Sequence, residues 1–260
     1  MFSNKQLHKF LDNATRRKLD IAVTYVENTS GSTFSKAGTI MLVNSKFEFA
    51  GVLGSNFLQE KVKENSKLAL DENKEKVFES IPKDPSSGHG NSKYKTIPFY
   101  FENDYEGIDK YINKVFSLLI FGSGAHISPL ISMANLMGWK ITIIDVQLKK
   151  QFCNEADKLI NLEKLEDIKS FDFFSYDAAV ILSHNPKTDD TYLESLLKTD
   201  ISYIGLMGNK KNAKRKKEQF NLENEERFSA PVGIDIGSYT PESIALSICS
   251  QIEAKKNGKL

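Results

Sequence analysis

The chain has 260 residues, 40% of them hydrophobic, and a formal net charge of +1, which suits one large globular domain or two modest ones. So even a balance of charge excludes a global attraction to nucleic acid or to an anionic membrane. No apolar run approaches the length of a bilayer span, and the polar, basic stretch 1–17 lacks a signal-peptide core, so a cytoplasmic location with no membrane and no nucleic-acid partner is expected.

In chain order, the first part opens with a helix over 4–16. Strands are predicted at 20–27, 38–43 and 47–52, the last two joined by the turn signal Asn44-Ser-Lys46. A helix over 56–68 follows, with Phe57, Val62 and Leu68 apolar, and the charged run 61–76 reads as a solvated face. Residues 85–92 form a flexible loop, 94–101 alternate as a strand, and 103–111 are polar enough for a connection. The organisation read from this is a first domain at 1–104, a linker at 105–114 and a second domain at 115–260.

The second domain alternates strand and helix, which implies parallel pairing through right-handed crossovers. Val115 to Phe121 is an almost wholly apolar run, as in a strand buried on both faces. It ends in Gly122-Ser-Gly124, where glycines permit a tight turn and close approach to a ligand. A helix starts near His126 with Pro129 in its first turn, Gly138 caps it, and the next strand closes on Asp145. An acid at that distance from the glycines can accept hydrogen bonds from a ribose and favours NAD over NADP. Ile127 stands where the dinucleotide fingerprint has its third glycine, so a doubly wound scaffold serving another ligand competes with this reading. Further elements are a helix at 151–162, a strand at 177–182, a helix at 187–197, a strand at 202–206, a basic helix at 210–220, an extended piece at 230–234 and a closing helix at 241–255. The fold class is therefore α/β, a Rossmann-like doubly wound parallel sheet preceded by a smaller α+β domain.

Ligands of such sheets sit outside the carboxyl ends of the strands, which selects the loops that follow them. The candidate cofactor-binding residues are Gly122, Ser123 and Gly124, Asp145, His184 and Asn185 after the strand at 177–182, Gly205 and Gly208 around the end of the strand at 202–206, and Asp235 and Gly237 in the loop before the last helix. His184 can act as acid, base or phosphate donor near neutral pH. The loop 233–242 is explained in large part as a well-capped helix entry, with Thr240 at the cap and Pro241 at the first position; Asp235 is what that leaves over. Lys210, Lys211, Lys214, Arg215, Lys216 and Lys217 lack interleaved aromatics and read as a solvated face whose start can bind an anion. Cys153 and Cys249 lie far apart and form no metal-ligand pattern; Cys249 falls on an apolar helix stripe, and Cys153 opens a predicted helix. No catalytic residue and no metal site are assigned.

Together these segments resemble the XdhC/CoxI family, the accessory proteins of xanthine and carbon monoxide dehydrogenases. The residues that carry the resemblance are Tyr203 to Gly208 with the basic helix behind them, and Ala230 to Glu242. Ser183-His-Asn185, Gly122-Ser-Gly124 through Leu130, and, in the first domain, Gly31-Ser-Thr33, Gly38 and Met41 to Val43 add to it. The resemblance implies an N-terminal XdhC/CoxI-type domain and a Rossmann-like domain. It also implies a protein that binds molybdenum cofactor (molybdopterin), promotes its sulfuration and delivers it to an apo molybdenum hydroxylase. A cysteine desulfurase is then a second expected partner and a homodimer an expected assembly. Where the family commonly has cysteines, this chain has Phe57 or a neighbour and His89. A thiolate is a soft nucleophile and metal ligand that phenylalanine cannot replace, so a cofactor-binding chaperone fits better than a thiol catalyst. An NAD(P)-binding oxidoreductase and a non-enzymatic nucleotide-binding assembly module are the alternative readings.

Overall fold

A computed structural model describes residues 4–82, 86 and 88–260, and the chain divides into two compact units, Met1–Val115 and Phe116–Leu260. In the first, α1 (Lys5–Arg16) precedes β1 (Ile21–Ser30), β2 (Ile40–Asn44) and β3 (Phe49–Ala50), followed by α2 (Asn56–Glu72), β4 (Lys76–Ser80) and β5 (Asn91–Phe99). The strands make one antiparallel sheet in the order β3-β2-β1-β5-β4. Alternation along the strands divides the core in two, as a pleated sheet requires. Ile21, Val23, Ile40 and Leu42 pack with Leu7 and Ala14 of α1, while Val26, Met41 and Val43 pack with Leu58 and Val62 of α2.

Two expectations change here. β4 lies where no element was expected, beginning on Lys76 at the end of the supposed solvated run. It pairs with β5 alone, and its apolar content is Val77 and Phe78, the latter stacked on Tyr94 at 4.7 Å. An edge strand with so little to bury leaves almost no pattern to read. Residues 105–114, expected as a linker, hold a 3₁₀ turn at Ile108–Lys110, and Tyr105 and Ile112 are buried in the core beneath α1. Of the expected loop 85–92, residues 85 and 87 lie outside the described residues; His89 bridges to Ser32, and Asn91 already begins β5.

The second unit contains β6 (Ser117–Phe121), α3 (Ser128–Leu136), β7 (Lys140–Asp145), β8 (Lys158–Asn161), β9 (Ala178–Ile181), α4 (Pro186–Leu196), β10 (Tyr203–Leu206), α5 (Lys210–Phe220), β11 (Phe228–Ser229) and α6 (Pro241–Lys256). Its six strands are all parallel, in the order β11-β10-β9-β6-β7-β8. This is a doubly wound sheet whose order reverses between β6 and β9. Leu118 and Ile120 of β6 pack with α3 and α6, while Leu119 and Phe121 pack with Tyr192, Leu193 and Leu196 of α4. The apolar run thus serves both faces, the reason it lacks alternation.

The helix expected at 151–162 is instead a 3₁₀ turn at Lys150–Phe152 and the edge strand β8. Leu159 and Ile160 go to opposite faces of the sheet, which two consecutive residues of a helix do not do. Cys153 therefore opens no helix. The extended piece expected at 230–234 is displaced to β11, although Val232 N still donates to Leu206 O at 2.9 Å. Among the described residues no helix is long and apolar enough to cross a membrane.

Candidate functional site

The loops after β6, β9 and β10 lie on one edge of the sheet because the strands are parallel. Gly122 ends β6 with φ +107°, and a Cβ there would stand 2.9 Å from both Leu182 O and Ser183 Cα. Its freedom is thus consumed by the neighbouring strand end. Gly124 is extended (φ −71°, ψ 165°), and a Cβ would come within 2.7 Å of Cε1 and Nδ1 of His126. The second glycine makes room for an imidazole. Ser123 is buried; its Oγ donates to Asp145 Oδ2 at 2.6 Å and accepts from Lys149 N at 2.9 Å. Asp145 Oδ1 accepts from Gln147 N at 3.3 Å.

His126 is the residue that the pattern of the glycine turn does not announce, since in the sequence it marks only the start of a helix. Its ring meets that of His184 edge-on, with centroids 4.5 Å apart. Nε2 lies 3.0 Å from Leu182 O, and a carbonyl only accepts, so Nε2 carries the proton and Nδ1 is the open acceptor of the neutral ring. Burial pushes the His126 pKa below the ordinary 6.5, and the charges of His184 and Lys149 add to that, against the bond to Leu182. Below 6.5 the unfolded chain therefore binds more proton at this residue than the folded one, and folding stability falls as pH drops through this window. The fall ends below the lowered folded pKa. Urea titrations at pH 5.5 and 7.5 should show a larger difference for the parent chain than for His126→Asn; equal differences would remove His126 from the titration.

His184 adopts φ +56°, a conformation uncommon outside glycine. Beside it, Asn185 caps α4 by accepting from Lys187 N at 3.2 Å. Asp189 is buried one turn into α4 and accepts from Ser183 Oγ at 2.5 Å. Burial raises its pKa above the usual carboxylate value, opposed by the Ser183 bond and by Lys216. A cleft of about 680 Å³ is lined by His184, Pro186, Asp189, Met207, Gly208, Asn209, Lys211, Asn212, Lys214, Arg215 and Glu218, and Glu218 pairs with Lys214 at 3.8 Å. Arg215 is oriented by donation to Asn212 Oδ1 at 2.7 Å, and Lys211, Lys214 and Arg215 project from the first two turns of α5 beside their cap Asn209.

The remaining expected residues divide. Gly205 lies buried within β10, where a Cβ would meet Val232 Cγ2 at 2.4 Å; packing against Val232 requires this glycine, and it offers no surface to a ligand. Asp235 lies with Met207 and Gly208 around a second cavity of about 350 Å³, and Gly237, at φ +70°, donates its N–H to Asp235 Oδ1 at 3.3 Å. Asp235 is therefore on the same sheet edge as the glycine turn, but Gly122, Ser123, Gly124 and Asp145 line neither of these two cavities. Lys216, counted earlier with the solvated face, is 2% exposed and ion-paired with Asp190 of α4. Cys153 and Cys249 are both free and buried. Burial raises the Cys153 thiol, Asp145 adding to it, and raises Cys249 to about 12, with Glu253 adding.

Strand order, glycine turn and strand-end loops define a Rossmann-type unit, preceded in the chain by an antiparallel α+β domain. Residues 118–252 match the model of the XdhC Rossmann domain, and the chain belongs to the XdhC family. It is 31% identical over 140 residues to a probable xanthine dehydrogenase subunit from Bacillus subtilis (strain 168), covering 52% of this chain and 41% of that protein. It is 25% identical over 252 residues to the uncharacterized protein YqeB of Escherichia coli (strain K12), covering 91% and 43%. The chain thus spans about two fifths of the length of the curated relatives it matches. A crystal structure described as a xanthine dehydrogenase from Bacillus halodurans shares the fold with a TM-score of 0.78, over 100% of this chain and 97% of that one, at 18% identity.

Proposed function

We propose that this chain is an accessory protein of a xanthine-dehydrogenase-type molybdenum hydroxylase, which binds molybdenum cofactor and hands it to the apo-enzyme. Membership of the XdhC family and the name of the Bacillus subtilis relative support the client. The observation that carries the cofactor is the cationic cleft beside His184. Lys211 and Arg215 are suited to the terminal phosphate of the pterin, since cations on a shaped wall hold phosphate by charge-assisted hydrogen bonds, while Lys214 is paired with Glu218. These donors fit the phosphate end of the group and not its metal end. Neither cysteine lines the cleft, and the described residues contain no group of three or more His, Cys, Asp or Glu able to hold a metal ion. The cofactor supplies the hydroxylation chemistry of the client, while the residues here hold and orient it. Sulfur then comes from a separate cysteine desulfurase, because a thiol pushed up by burial is inert at neutral pH.

Reconstitution of an apo molybdenum hydroxylase with purified cofactor, a cysteine desulfurase and cysteine tests this. The parent chain and a Cys153→Ala, Cys249→Ala variant should activate the client equally, and Lys211→Glu with Arg215→Glu should reduce activation by about tenfold or more. No activation by the parent chain would overturn the reading, and loss confined to the cysteine variant would assign the sulfur step to one of its thiols.

A further inference from the structure

Two cavities lie side by side at the carboxyl edge of the parallel sheet, and Met207 and Gly208 belong to the walls of both. The first is the cationic cleft. The second has a different character: Pro231, Val232, Ile234, Ile236 and Ile244 give it apolar walls, Lys210 stands at its border with α5, and Asp235 is its one carboxylate. Its two hydroxyls, Ser238 and Ser247, already donate to Ser243 O at 3.1 Å and Ile234 O at 2.6 Å. Apolar walls suit the faces of a flat ring, and a carboxylate in such a cavity fixes the ring's orientation through its edge. Asp235 Oδ1 accepts the Gly237 N–H at 3.3 Å, which leaves Oδ2 and further lone-pair capacity on Oδ1. A carboxylate so placed accepts two parallel N–H groups, the geometry it uses with a guanidinium fork. On a neutral planar ring that fork is the amino–imino edge of a 2-amino-4-oxo-pyrimidine, fused in guanine and in pterins alike.

Gly208 is the saddle between the two cavities. It is exposed, and a Cβ on it would already stand 3.0 Å from Asn212 Nδ2, so a larger side chain narrows the passage. We propose that the two cavities are halves of one site for a phosphorylated compound with an amino–imino ring edge. The ring lies against Asp235, and the phosphate lies with Lys211 and Arg215. This deepens the maturation reading and rests on it for the identity of the natural ligand.

Calorimetry on the full chain tests it with guanosine monophosphate, inosine monophosphate, 6-hydroxymethylpterin phosphate and inorganic phosphate. Inosine monophosphate lacks the amine and should bind about tenfold more weakly than its guanine counterpart. Asp235→Asn should abolish that preference. Arg215→Ala should weaken both nucleotides by the same factor and keep their ratio. Gly208→Val should weaken the ring-bearing ligands while leaving inorganic phosphate unchanged, with the fold checked by circular dichroism. Tighter binding of the pterin phosphate than of guanosine monophosphate assigns the site to a pterin, and the reverse assigns it to a nucleotide. Equal affinities for the guanine and hypoxanthine compounds, indifferent to Asp235→Asn, would overturn the proposal, as would failure of every ring compound to bind. Client activation without ring selectivity removes this inference alone. Selectivity without activation removes the maturation reading and leaves the site.

Discussion

Gly122→Val is expected to lower the main thermal transition of the chain by about 10 °C. The conformation at φ +107° is almost closed to residues with a side chain, and forcing one into it costs about 1–3 kcal/mol. The added Cβ also meets backbone, Leu182 O and Ser183 Cα at 2.9 Å, and overpacking of this kind costs roughly another 1–3 kcal/mol. Each kcal/mol moves the midpoint by about 2–4 °C in a domain of this size. Gly124→Ala should do much less, because its φ is ordinary and the obstacle is a histidine ring that can turn away. Differential scanning calorimetry of the two variants decides the matter. A shift of less than about 2 °C for Gly122→Val would show that the β6 and β9 loops are not braced against each other.

The second large effect concerns Lys216, which fastens α5 to α4. Its ammonium pairs with Asp190, donates to Gln219 Oε1 at 3.3 Å and lies 5.8 Å from the centre of the Phe220 ring. Removing one partner of a fully buried pair costs about 3–5 kcal/mol; Asp190 keeps 32% of its side chain in solvent, so Lys216→Ala should cost less, about 2–3 kcal/mol. Urea unfolding of Lys216→Ala, Asp190→Ala and the double variant measures how much of this is the pair itself. Additive losses would mean that the lysine acts through its buried stem alone. The neighbouring Lys211→Ala should leave stability within about 0.5 kcal/mol, as a surface substitution does.

These effects also explain what could be read in advance. The run Val115 to Phe121 and its glycine turn were legible because burial on both faces and a tight exit leave composition little choice. β8 was not, for two apolar neighbours, Leu159 and Ile160, fit a helix as easily as an edge strand until the sheet assigns each its own face. β4 escaped for the complementary reason, being polar and paired on one side. At the site, the strand-end loops were legible from topology alone, since parallel strands bring Gly122, His184 and Gly208 to one edge. The occupants of the space above the glycines were not. Nothing in Gly122-Ser-Gly124 announces that His126 folds back over the second glycine, or that Lys216 alone among its basic neighbours turns inward. Both depend on partners 56 and 26 residues away in the chain, Leu182 and Asp190.

The bond from Ser123 to Asp145 bears on which part of the edge is open to a visitor. A Rossmann acid at the end of the second strand ordinarily awaits the hydroxyls of a sugar, but here a hydroxyl of the chain's own is already tethered 2.6 Å from it. A tethered group competes at an effective concentration in the millimolar range or above, because it loses no translational freedom on binding. A free sugar present at micromolar levels meets a rival that stays beside the acid even when the bond opens. Asp145 is in this sense self-liganded, and the recognition surface left to outside molecules moves two strands along the sheet, from the end of β6 to the saddle at Gly208.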